Sequence, residues 1–164
     1  MNNKTYETSA AAVALLKDNG FTVAVAESCT GGLLSSYLTA VPGVSAVYEL
    51  GVTSYSCRIK NKILGVKEET LDAFGAVSEN TAREMAEGVR QKAGSDIGLS
   101  VTGVAGPDDS EGHAPGLVFI AAADKGGTRV KKLNIDPINR ETVRETAVKA
   151  VLELLIKTVE EVAK

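Results

Sequence analysis

The chain has 164 residues, 44% of them hydrophobic and 24% charged, enough for a single domain spanning residues 1–164 with a real core. A net charge of −3, no strong basic run and 4% aromatic residues give neither the electrostatic footprint of a duplex-DNA binder nor the stacking platforms of a single-strand binder, so no nucleic-acid partner is expected. The two cysteines, Cys29 and Cys57, make no disulfide framework and suit a reducing cytoplasm, and no run reaches the roughly 18 apolar residues of a membrane span.

Residues Lys4 to Asn19 read as an amphipathic helix with Ala11, Leu15 and Leu16 on one face and Gly20 as its C-cap. Charges flank its short apolar patch, which does not make a signal peptide. "FTVAVA" is short, β-branched and apolar, the pattern of a strand buried on both faces. Gly31 to Ala40 reads as a helix ended by "VPG", and "VYELGVTSY" as a second strand bent at Gly51. Lys60 follows in a short helical stretch. "GVKEETLDAFGAVS" holds a short helix and a turn, and Ser78 starts a helix running to about Ala93. "DIGLSVTGVAG" is a third apolar strand, "PDDSEGHAP" a surface loop, and "GLVFIAAAD" with "TRVKKLNID" a hairpin across Lys125-Gly126-Gly127. Arg140 to Val162 is a long final helix. The order α-β-α-β-α-α-β-β-β-α predicts an α/β fold: a three-layer sandwich around a mixed, mostly parallel sheet with one antiparallel strand from the hairpin.

Ligands of such sheets sit at the carboxyl ends of strands. Three hydroxyl- or glycine-rich strand ends qualify: Ser28 to Gly32, Ser54 to Ser56, and Thr102 to Gly106. In "AESCTGG" a strand-to-helix turn presents Ser28 beside the N–H groups of Thr30, Gly31 and Gly32. At a helix start these donors are expected to be free, which is what an oxyanion needs. The same residues also suit a plain N-cap and a tight turn. A serine nucleophile needs a base. His113, the only histidine, falls in the most loop-like segment and is a poor choice. A lysine with a pKa lowered by burial is the other option, and Lys60, just beyond the second strand, is the best placed. Tyr55 is positioned to relay a proton or orient Lys60 through its hydroxyl. A solvated helix charge is the competing reading of Lys60. Thr102 can hydrogen-bond a ligand, and Gly103, Ala105 and Gly106 allow close backbone approach, although "GPD" is also an ordinary turn. Arg140 and Arg144 are candidate anion ligands or plain surface charges. No Walker loop, no Gly-x-Gly-x-x-Gly and no Cys/His/carboxylate cluster at metal-ligand spacing occurs, so no metal or cofactor is expected. Cys29, next to Ser28, is a rival nucleophile.

"AESCTGG", "GVTSYS" with Lys60 four residues after Ser56, "GAVSE", "TGVAGP" and "NRETVR", in that order, resemble the C-terminal domain family of the competence/damage-inducible protein CinA, over essentially the whole chain. The resemblance implies a three-layer fold like that of anticodon-binding domains. It implies a nicotinamide-nucleotide amidase that hydrolyses the carboxamide of nicotinamide mononucleotide to nicotinate mononucleotide and ammonia, in pyridine-nucleotide salvage. Carried onto this sequence, the nucleophile is Ser28, the base Lys60, the assisting residue Tyr55, and Thr102 lies near the substrate. A homodimer is also implied. The nucleotide-pyrophosphatase domain that some relatives carry in front has no counterpart here. Relatives read Pro-x-Gly before the "LVFIA" strand, whereas this chain reads His113-Ala114-Pro115-Gly116, so loop contacts to substrate are expected to differ. The competing class is a non-catalytic nucleotide- or partner-binding module, which the wider family's competence roles suggest.

Overall fold

A computed structural model describes residues Met1–Lys164. The elements run α1 (Asn3–Asn19), β1 (Val23–Glu27), α2 (Leu33–Thr39), a 3-10 turn (Val44–Ala46), β2 (Tyr48–Thr53), α3 (Cys57–Leu64), α4 (Glu68–Phe74), α5 (Glu79–Ala93), β3 (Ile97–Gly103), β4 (Leu117–Asp124), β5 (Gly127–Asn134) and α6 (Arg140–Val162). The helix starts follow sequence-level caps. Asn2, Ser56, Ser78 and Asn139 each accept a backbone N–H with the side chain, and Gly20 closes α1 in the left-handed conformation.

The five strands are ordered β2-β1-β3-β4-β5. β1 pairs in parallel with β2 and β3, while β4 runs antiparallel between β3 and β5. The α/β three-layer sandwich with a mixed sheet is therefore the observed fold, and the single reversed strand is the first arm of the hairpin. Two expectations are corrected. Three helices, not two, separate β2 from β3, because the stretch holding Lys60 is a full helix capped by Ser56. The irregularity in β2 is not at Gly51. Val23 pairs with Tyr48 and Ala24 with Leu50, so Glu49 is the extra residue. At Gly51 a Cβ would meet the Tyr48 hydroxyl and Ser35 Oγ, and those side chains would have to shift to admit it.

Alternation along β1 explains the layers. Val23 and Val25 face α1, α2 and α6 in the larger core with Leu16, Leu34, Leu152 and Leu155. Ala24 and Ala26 face the other way, against Leu64, Met85 and Val89. Alanines on that face let α5 lie close to the sheet, and Ala82 and Ala86 meet Ala121 and Ala123 in the same manner. Because β1 sits between strands that its chain reaches in opposite directions, its carboxyl end is the switch point where such folds bind ligands. Backbone bonds tie the three strand ends together there: Ser54 N–H to Glu27 O at 2.8 Å and Ser28 N–H to Val101 O at 3.0 Å.

Candidate active site

Ser28 is the first residue after β1 and Lys60 lies in the first turn of α3, just beyond the carboxyl end of the neighbouring strand β2. The fold brings them together. Lys60 Nζ is 2.9 Å from Ser28 Oγ, 2.7 Å from Ser54 O and 3.2 Å from Tyr55 O. The side chain is fully buried, with 0% exposure and no carboxylate in ion-pair contact. Burial penalises its charge and pulls its pKa below the ordinary lysine value, against weaker opposing fields from Cys57, Cys29 and Glu111. Nζ donates to the two carbonyls, which can only accept, and to Ser28 Oγ; in the neutral amine that burial favours, the third position is a lone pair able to take the Ser28 hydroxyl proton.

The N–H row after Ser28 differs from expectation. Gly31 N–H donates to Ser28 O at 3.0 Å and Gly32 N–H to Glu27 Oε2 at 3.1 Å, so neither glycine offers a free donor. The buried Glu27 carboxylate occupies the start of α2. It accepts from Thr30 Oγ1 (2.7 Å), Leu34 N–H (3.0 Å), Ser35 N–H (2.8 Å) and Ser35 Oγ (2.7 Å) as well. An internal anion thus satisfies the helix terminus. The N–H groups of Cys29 and Thr30 donate to no oxygen and are the donors left for a developing charge. Sequence reasoning missed Glu27, although an acidic residue directly before a Ser/Thr/Gly turn and a helix is a signal for such a cap.

Ser28 and Cys29 line a cavity of about 280 Å³ with Tyr55, Ser56, Cys57, Ala76, Val77, Thr102 through Gly106, Asp108, Ser110, Glu111 and Arg140. The Tyr55 hydroxyl makes no hydrogen bond to Lys60: its carbonyl meets the amine, while its exposed phenol accepts from Arg140 Nη2 at 3.1 Å. Arg140 also donates from Nη1 to Gly106 O at 2.5 Å, so it stands at the cavity mouth. Arg144 is separated from it in role, since it donates to Thr30 O at 2.6 Å and braces the turn. Thr102 lines the cavity, but its hydroxyl already donates to Ala76 O at 2.8 Å. Gly103 also lines it. The close backbone approach there is by the chain's own β4, because a Cβ would strike Leu117 O and Val118.

The rival nucleophiles fare worse. Burial pushes the Cys29 thiol up to about 11, so its thiolate is scarce at neutral pH. His113 is outside the cavity wall. Glu111 is a further residue that sequence reasoning missed: its carboxylate oxygens accept from Ala76 and Val77 N–H, both at 3.1 Å.

A three-layer α/β domain with a buried serine–lysine contact at the switch point defines the structural class. Residues 5–159 match the model of the CinA C-terminal domain, and the chain belongs to that family. A relative in Acetivibrio thermocellus whose name refers to competence-damage induction is 53% identical over 138 residues, 84% of this chain and 33% of its own. A CinA-like protein of Kosmotoga olearia is 48% identical over 144 residues, 87% of this chain and 35% of its own. The chain thus spans about a third of the length of these curated relatives. Among solved structures, the competence/damage inducible protein CihA of Agrobacterium tumefaciens superposes with a TM-score of 0.92 at 35% identity, covering 96% of both chains. A CinA-superfamily protein of Klebsiella pneumoniae gives 0.93 at 32% identity, covering 98% of this chain and 99% of its own. No helix is long and apolar enough to cross a membrane.

Proposed function

We propose that this domain is a serine amidohydrolase acting on the carboxamide of nicotinamide mononucleotide in pyridine-nucleotide salvage. One observation carries the reading: a fully buried Lys60 without a carboxylate partner, 2.9 Å from Ser28 Oγ. A lysine in that setting is poised as a neutral base rather than as a solvated charge.

Lys60 Nζ takes the Ser28 proton as Oγ attacks the amide carbon, and the C=O electron pair moves onto oxygen. The N–H groups of Cys29 and Thr30 receive that oxyanion, each good donor worth about 3 kcal/mol. Collapse breaks the C–N bond, and the Lys60 ammonium returns the proton to the leaving nitrogen, which departs as ammonia. Water, deprotonated by the same amine, then hydrolyses the ester to nicotinate mononucleotide and restores Ser28. These steps use only side chains, backbone donors and water. Arg140, with Tyr55 at the cavity mouth, is the phosphate ligand; the domain works as a cytoplasmic homodimer.

Incubation with nicotinamide mononucleotide tests the reading. Stoichiometric ammonia and nicotinate mononucleotide support it. Binding of the nucleotide without ammonia would replace it with a nucleotide-binding module.

A further inference from the structure

Glu111 sits at the tip of a small hairpin within the loop between β3 and β4. Ser110 N–H bonds to His113 O at 3.0 Å and His113 N–H to Ser110 O at 2.9 Å. The two residues between them have positive φ, 53° at Glu111 and 76° at Gly112, the pattern of a type I′ turn. A left-handed backbone disfavours a residue with a side chain, and Glu111 is the one non-glycine residue in the chain that adopts it. The result is a carboxylate laid against the Ala76 and Val77 N–H groups, on the wall of the cavity that holds Ser28. Asp108 also lines the cavity, and neither carboxylate is ion-paired. The cavity's cation, Arg140, is on another stretch of wall, with Tyr55 and Gly106. Glu111 and Arg140 therefore stand on different stretches of the wall, the carboxylate between α4 and α5 and the guanidinium beside Tyr55 and Gly106.

We propose that Glu111 selects substrates whose amide is carried on a cationic ring, holding a quaternary pyridinium against its carboxylate while the amide carbon faces Ser28. This rests on the amidase reading above and assigns the recognition of the substrate's ring charge to Glu111, with the distal anion at Arg140. The same charge balance serves the base. The Glu111 field favours a protonated Lys60, and a bound cation cancels that field.

The test compares nicotinamide mononucleotide with its reduced dihydropyridine form, which keeps the amide and phosphate but has an uncharged ring. The kcat/KM ratio for the two is measured in the wild type and in Glu111→Gln. The intrinsic difference in amide reactivity cancels between the enzymes, and any inactive fraction cancels within each ratio. The inference expects the preference for the cationic ring to fall by about ten-fold in the variant, and to shrink with ionic strength in the wild type. On a Ser28→Ala background, calorimetric affinities for the same two compounds read the same ratio without turnover. Ammonia release with a ratio unchanged by Glu111→Gln overturns this inference alone. No ammonia from the wild type overturns the amidase reading and this inference with it.

Discussion

Replacing Glu27 with glutamine tests whether an internal carboxylate organises the turn that presents Ser28. Oε1 accepts from Ser35 N–H and Ser35 Oγ, while Oε2 accepts from Thr30 Oγ1, Gly32 N–H and Leu34 N–H. A glutamine amide puts an NH2 at one of these two places. Set at the Oε2 position it orphans two backbone donors. Set at the Oε1 position it orphans only Ser35 N–H, since the Ser35 hydroxyl can rotate to accept. The second arrangement wins, leaving one buried donor unpaired at a cost of about 1–3 kcal/mol. The two remaining backbone bonds lose their charge assistance, for a total loss of about 2–4 kcal/mol. Urea unfolding followed by far-UV circular dichroism measures it, with an unchanged m-value and a Tm lowered by about 5–15 °C. A loss below about 1 kcal/mol would refute the claim that this carboxylate holds the start of α2.

Lys60 governs two pH profiles. Activity, as kcat/KM, rises with pH along a limb whose apparent pKa lies below the ordinary lysine value of 10.5; a pH-independent rate would remove Lys60 as base. Between that depressed pKa and 10.5, the unfolded chain binds a proton that the fold does not. Folding stability therefore falls as pH drops through this window, and Lys60→Met flattens the slope, as urea midpoints at several pH values will show. At pH 8, iodoacetamide modifies exposed Cys57 and spares Cys29, read by peptide mass, and Cys29→Ala retains most of the activity. Arg140→Ala raises KM for the nucleotide by about ten-fold with a smaller effect on kcat, as expected for loss of a charge-assisted contact. Arg144→Ala lowers kcat and stability instead, because it frees Thr30 O.

The sequence carried the frame and much of the site. Helix caps at Ser78 and Gly20, the long α6 and the buried β1 were legible because cap chemistry and hydrophobic period are local. Lys60 could be brought toward Ser28 because parallel neighbours align their carboxyl ends, and the pair does meet. What failed was bookkeeping of backbone donors. Whether Gly31 and Gly32 are free depends on where one carboxylate, Glu27, turns its side chain, and strand alternation alone does not say. The Tyr55 contacts were not legible for a related reason: its carbonyl and its phenol face different partners, and residue spacing cannot tell which one meets the lysine. Glu111 was hidden because its placement depends on a left-handed turn in a polar loop.

The serine–lysine contact is the centre of the account, and one assay addresses it. Ammonia release from nicotinamide mononucleotide is measured for the wild type, Ser28→Ala and Lys60→Ala, with circular dichroism confirming that each is folded. The account predicts release by the wild type and none above background from either variant. Release that survives Ser28→Ala in a folded protein would contradict it and move the nucleophile elsewhere.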